Sequence, residues 1–193
     1  MSPTKSQRKK AVRLISLTIL ASVLTLLQQR GYLQPIADTA QKNQPGLYQV
    51  SSFADGDTIT VDMNGTSEKV RLIGVDTPET HDPRKAVQCY GQAAAAYTKQ
   101  LIGANQVRLS GDPENTDRDR YNRLLRYVYL PDGTLVNAEI IKNGYGFAYT
   151  YFPFTKLEEF KSFQKQAEAA GAGLWGECSI ETLNSGQVKT TDQ

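Results

Sequence analysis

Val70-Arg71-Leu72-Ile73-Gly74-Val75-Asp76-Thr77-Pro78-Glu79 is an apolar run that hands over abruptly to two carboxylates. Val70, Leu72, Ile73 and Val75 are β-branched or aliphatic over a strand's length, and Pro78 cannot donate to a sheet ladder, so the pattern predicts a strand from Glu68 to Val75 that ends near Asp76. Arg71 is thereby fixed on the strand and two acids at its exit. That set suits a phosphate diester, because a guanidinium binds phosphate while hard oxygen ligands hold a divalent ion beside it.

A second acidic turn lies upstream, Asp55-Gly56-Asp57-Thr58, followed by the alternating strand Ile59 to Asp62 and a turn at Asn64-Gly65. Asn-Gly is a strong hairpin signal. Folding back at that turn brings the start of one strand, with Asp57, beside the end of the next, with Asp76, and two such acids can share one cation. Each turn alone reads equally well as ordinary polar turn chemistry.

Working outward, Leu47 to Phe53 forms the first strand of a three-stranded meander. Gln92 to Ile102 is rich in helix formers and stops at Gly103. Gln106 to Ser110 and Leu124 to Leu130 give a fourth and fifth strand, the latter turned by Pro131-Asp132-Gly133. Asn137 to Asn143 reads as a short helix, and Lys156 to Ala170 as a longer one with Leu157, Phe160, Phe163 and Ala167 on one face. Five short strands with helices inserted late are compatible with a small closed barrel, and no internal repeat is present.

Charge is unevenly distributed. Lys5, Arg8, Lys9, Lys10, Arg13 and Arg30 lie in the first thirty residues, which hold no acid, so the remainder carries 16 basic against 20 acidic residues, net −4. A general basic footprint for nucleic acid is absent there, and phosphate binding falls to local clusters and a cation. Residues 1–30 read as a targeting segment, with the basic residues up to Arg13 ahead of the apolar run Leu14 to Leu27. Export follows, with the segment either cleaved as a signal or retained as an anchor whose basic side stays in the cytoplasm. Residues 31–45 form a polar tether, 46–178 the folded domain and 179–193 a flexible tail. Cys89 and Cys178 are the two cysteines. An even pair in an exported chain suggests a disulfide, the alternative being two unpaired apolar residues, and one His with two Cys offers no zinc-like spacing.

Asp55-Gly56-Asp57-Thr58, Arg71 through Val75-Asp76-Thr77-Pro78-Glu79, and Asp119-Arg120-Tyr121-Asn122-Arg123 resemble the successive signatures of the staphylococcal (thermonuclease, or micrococcal) nuclease family. The resemblance runs from about Gln49 to Trp175, with the three motifs in family order. It implies an α+β fold, a five-stranded OB-type β-barrel with three helices, here preceded by the N-terminal hydrophobic segment. It also implies a calcium-dependent endonuclease acting on DNA and RNA and leaving 3′-phosphate ends. By the same resemblance Asp57, Asp76 and the carbonyl of Thr77 bind Ca2+, Asp55 lies near the metal, Glu79 is the general base, and Arg71 and Arg123 bind the phosphate. Asn122 stands where a glycine often sits, and Asn tolerates left-handed backbone.

Tyr121, Tyr149 and Tyr151 match family tyrosines of the nucleotide pocket, where a ring stacks on a base and a hydroxyl reaches phosphate; for Tyr151 core packing beside Phe147, Phe152 and Phe154 is an equal alternative. Arg120, and Arg84 with Lys85 in the loop after Glu79, are further candidates for substrate contact, while His81 receives no role. A monomer is expected, in contact with a membrane only if the N-terminal segment is retained. The rival from another class is a catalytically silent module of the same fold that binds nucleic acid, and the presence of Asp57, Arg71, Asp76, Glu79 and Arg123 argues against it.

Overall fold

A computed structural model describes Ser22, Leu26 and residues 46–80, 87–183 and 188–191. The chain divides into two compact units, Met1–Gln44 and Pro45–Gln193. In the first, Ser22 and Leu26 are helical and exposed. The targeting segment and tether otherwise lie outside the described residues, as do His81, Arg84 and Lys85. No helix among the described residues is long and apolar enough to cross a membrane.

In the second unit β1 (Leu47–Phe53), β2 (Thr58–Met63), β3 (Thr66–Leu72), β5 (Gln106–Ser110) and β6 (Leu124–Tyr129) close a barrel in the order β1-β2-β3-β6-β5. The β2–β3 hairpin turns at Asn64 and Gly65 with φ of 57° and 87°, the pair of positive angles that selects Asn-Gly. Strand alternation sends Ile59, Val61, Val70, Leu72, Val107 and Val128 into the interior, where each is at most 1% exposed. β3 meets β6 in parallel, and the other barrel pairings are antiparallel. Around the barrel stand α1 (Gly91–Ile102), α2 (Val136–Lys142), α3 (Leu157–Ala169) and the four-residue α4 (Leu174–Glu177).

The predicted strand through Val75 breaks. β3 ends at Leu72, and after a turn at Gly74 the two-residue strand β4 (Val75–Asp76) leaves the barrel to pair with β7 (Phe147–Ala148). Gly74 has φ of 71°, and a Cβ there would stand 2.6 Å from Phe154 Cζ, so backbone angle and space both demand glycine. The fully buried Asn137 closes the breach: its Oδ1 accepts from Val128 N–H at 2.9 Å and its Nδ2 donates to Ile73 O at 2.9 Å. The hydrogen bonds lost where β3 stops pairing are thus supplied by one amide, which fixes the exit of the chain toward Asp76.

The predicted flexible tail is partly ordered. β8 (Ile180–Thr182) and β9 (Val188–Thr190) pair antiparallel, with Thr190 fully buried. Cys89 and Cys178 are joined in a disulfide across a separation of 89 residues. Three-residue strands carry almost no periodicity, so this sheet leaves no pattern in the residues.

Candidate active site

The turn before β2 is held from below by α1, whose buried Thr98 donates its hydroxyl to Gly56 O at 2.6 Å. Asp57 follows, 6% exposed, and both its carboxylate oxygens are engaged. Oδ1 accepts from the Thr58 hydroxyl at 2.9 Å, and Oδ2 from the main-chain N–H and hydroxyl of Thr77 at 2.9 and 3.1 Å. The two acidic turns are therefore stitched together, as the hairpin register predicts.

Arg71 lies on β3 opposite Thr58, so its side chain emerges beside Asp57. One guanidinium nitrogen, Nη1, is held by the carbonyls of Leu72 and Val75. The other, Nη2, stands 3.2 Å from Asp57 Oδ2 and 3.2 Å from Asp76 Oδ1. Both contacts are longer than the roughly 2.7–2.9 Å of a tight charge-assisted bond. Two carboxylates thus divide one guanidinium, an excess of acid that attracts a cation.

The donor chemistry there fits calcium. Asp57 and Asp76 are hard oxygen ligands, and Thr77 spends its N–H and hydroxyl on Asp57, leaving its carbonyl as the oxygen it can offer an ion. Among the described residues no group of three or more His, Cys, Asp or Glu could hold a metal. With Asp57, Asp76 and the Thr77 carbonyl as protein ligands, the rest of a six- to eight-oxygen calcium shell would fall to water and substrate.

Asp119 organises the third motif. Its Oδ1 accepts from the main-chain N–H of Tyr121 and Arg123 at 2.9 and 3.0 Å, while Oδ2 takes Arg123 Nε at 2.7 Å. Burial alone would raise its pKa, but these bonds and the Arg123 charge hold it below the ordinary carboxylate value. Asn122 has φ of 63°, the left-handed angle a glycine would otherwise supply. With Nε and Nη2 of Arg123 committed to Asp119, Nη1 points at the Thr58 hydroxyl, 3.4 Å away and next to Asp57. The neighbouring arginines are structural instead: Arg118 grips both oxygens of Glu68, and Arg126 pairs with Asp117.

A cleft of about 400 Å³ runs between Arg71 and the third motif, lined by Arg71, Arg120, Tyr121, Arg123 and Tyr149 among others. Tyr121 is 65% exposed, with the guanidinium carbons of Arg120 and Arg123 at 4.8 and 5.4 Å from its ring centre. Burial, and then the Asp76 carboxylate, push the Tyr149 phenol above its ordinary pKa, with Arg71 pulling the other way, so it remains a neutral donor. Tyr151 is not in the core: it is 48% exposed, its ring stacked on Tyr149 at 5.5 Å, and it lines an adjoining recess that also contains Asp76.

Glu79 stands two residues past Thr77, and Thr80 beside it donates its hydroxyl to Asp55 at 2.8 Å, a second tie between the two acidic turns. Asp57, Arg71, Asp76 and Thr77 are thus brought into direct contact, and Arg123 joins them through Thr58. The motifs contain Thr58 and Asp119 without indicating what they do, and Gln88, which contacts Glu79, belongs to no motif. The roles of Thr58 and Asp119 could have been inferred from the orphaned donors that each motif turn creates.

Residues 69–177 match the family described as "Staphylococcal nuclease homologue". The chain is 36% identical over 168 residues to the thermonuclease of Staphylococcus intermedius, covering 86% of this chain and 98% of that protein. It is 40% identical over 129 residues to the thermonuclease of Staphylococcus hyicus, covering 66% of this chain and 75% of the other. To endonuclease YncB of Bacillus subtilis (strain 168) it is 38% identical over 145 residues, covering 73% and 68% respectively.

Proposed function

The chain belongs to the staphylococcal nuclease family, and from that premise we propose that it is a calcium-dependent endonuclease that hydrolyses DNA and RNA to 3′-phosphate ends. The observation that carries this reading is the convergence of Asp57 and Asp76 on Arg71, 3.2 Å from each, with Arg71 itself in the wall of a cleft that Arg123 also lines. Asp57, Asp76 and the Thr77 carbonyl would hold the calcium. When bound, the ion supplies positive charge against the phosphoryl oxygens.

Arg71 Nη2 and Arg123 Nη1 bind those oxygens and remain to meet the extra negative charge that builds on them as water attacks. Glu79 takes the proton of the attacking water. The new bond joins the water oxygen to phosphorus, and the bond to the 5′ oxygen breaks, that oxygen leaving with a proton from solvent. Tyr149 and Tyr151 offer stacked faces to a base, while Tyr121 and Arg120 line the approach. Arg84 and Lys85 are proposed to touch the backbone of longer substrates.

The activity is proposed to act outside the cytoplasmic membrane, on the strength of the basic-then-apolar N-terminal sequence and the joined cysteines. The test is digestion of plasmid and RNA with calcium and with chelator, with the ends mapped. New 5′-hydroxyl ends that a kinase can label, formed only with calcium, support the reading. Binding of single-stranded DNA without cleavage would replace it with the silent module.

A further inference from the structure

The main chain of Glu79 is bracketed by a residue that belongs to no motif. Glu79 N–H donates to Gln88 Oε1 at 2.8 Å, and Glu79 O accepts from Gln88 N–H at 3.1 Å. The same turn then presses on Glu79 from the helix side. Gly91 N–H donates to Gln88 O at 3.0 Å, and a Cβ on Gly91 would stand 2.9 Å from Glu79 O and 3.2 Å from Pro78 O. The start of α1 therefore lies against the Pro78–Glu79 backbone with no room for a side chain.

Gln88 is in turn anchored through the next residue, which is fastened three ways. Cys89 is joined to Cys178, its N–H donates to Thr191 O at 3.0 Å, and its carbonyl accepts from the Thr190 hydroxyl at 2.9 Å. Because Thr190 is fully buried, the β9 end of this strap has little freedom. Two main-chain bonds at Glu79 fix its φ and ψ, hence the direction of its Cα–Cβ bond.

We propose that Gln88 is a positioning residue for Glu79, and that the Cys89–Cys178 disulfide with β9 is the fixed post against which Gln88 holds it. This rests on the assignment of Glu79 as general base given above. A carboxylate is a weak base whose effect comes from placement, so a displacement of the order of an ångström is enough to lower the rate by about 10- to 100-fold. Reduction should act the same way: two thiols of dithiothreitol are oxidised to its cyclic disulfide, and Cys89 and Cys178 each take up a proton and an electron and part.

The test uses the full chain with saturating calcium and a single-stranded DNA oligonucleotide. Gln88→Leu keeps size and removes the acceptor, while Gln88→Glu keeps an oxygen at Oε1; both are made alone and in Glu79→Gln. We expect Gln88→Leu to lower kcat about 10- to 100-fold with KM within about twofold, and Gln88→Glu to recover most of the loss. In Glu79→Gln, itself at least about 100-fold slow, Gln88→Leu should have no further effect. Dithiothreitol should lower kcat of the wild type and leave Glu79→Gln unchanged. A Gln88→Leu rate equal to wild type, or an equal loss in both backgrounds, overturns the positioning role while the base assignment stands. A Glu79→Gln rate equal to wild type overturns both. Should Gln88→Leu lose the circular dichroism of the fold, the reduction arm decides: a wild-type kcat unchanged by complete reduction overturns the proposal.

Discussion

One carboxylate oxygen of Asp57 receives both the main-chain N–H and the hydroxyl of Thr77, at 2.9 and 3.1 Å, across 20 residues of sequence. The residue proposed to bind the ion is therefore also the clasp between the two acidic turns. Asp57→Asn keeps the shape but gives up the charge that Arg71 and Thr77 share. Calcium titration calorimetry on this variant should show binding lost, and urea unfolding should show a stability lower by about 1–3 kcal/mol, the cost of weakening buried hydrogen bonds to a charged acceptor. Calcium binding as tight as wild type would remove Asp57 from the site.

The Arg123 guanidinium donates twice to Asp119 and turns its remaining nitrogen toward Thr58. Arg123→Ala should depress kcat by roughly 100- to 1,000-fold, as for other donors aimed at developing charge, with a smaller effect on substrate affinity. Asp119 retains the main-chain N–H donors of Tyr121 and residue 123, so thermal unfolding should shift little. A loss confined to KM would make Arg123 a binding residue only.

Gly74 joins barrel to site, since the turn it makes sends Asp76 out of the barrel wall. Gly74→Ala meets both a φ of 71° and a contact of 2.6 Å with Phe154. It should lower stability by more than about 1 kcal/mol and reduce calcium affinity as well, because β4 must move to relieve the clash. Denaturant unfolding and calcium titration of the same preparation check both.

Asp112, 7% exposed, receives hydrogen bonds from the hydroxyls of Tyr127 and Thr155 and from the N–H of Thr155 and Glu114. Burial would raise its pKa, but those bonds outweigh it and hold it below the ordinary carboxylate value; burial and then Asp112 drive the Tyr127 phenol up. A depressed folded-state pKa contributes stability that is present above the unfolded value of about 4 and is lost as pH falls through the folded one. Asp112→Asn should therefore be less stable than wild type at pH 7, with the difference shrinking below about pH 4 in urea unfolding followed across pH.

Where side-chain alternation and turn chemistry act within a few residues, the sequence was legible. The bounds of β1 and β5, the Asn64-Gly65 turn and the left-handed Asn122 all follow from local preferences. The break at Gly74 was not, because Ile73 and Val75 continue an apolar pattern and the reason for the glycine is Phe154, eighty positions later. At the site, residue types announced Asp57, Arg71 and Asp76, and the family resemblance Arg123, but neither announced that Arg118 and Arg126 serve Glu68 and Asp117. The Gln88 bracket on Glu79 joins one side-chain oxygen to main-chain groups nine positions away, and no local pattern encodes it.

The central claim is phosphodiester hydrolysis that depends on an ion held by Asp57 and Asp76 beside Arg71. The direct measurement is the cleavage rate of a single-stranded DNA oligonucleotide by the full chain, wild type and Asp57→Asn in parallel, as calcium is titrated in and then removed with chelator. The account predicts a wild-type rate that rises with calcium to saturation and collapses in chelator, with Asp57→Asn at least about 100-fold slower than wild type at saturating calcium. Cleavage by the wild type that chelator leaves untouched, or an Asp57→Asn rate equal to wild type at saturating calcium, would contradict it.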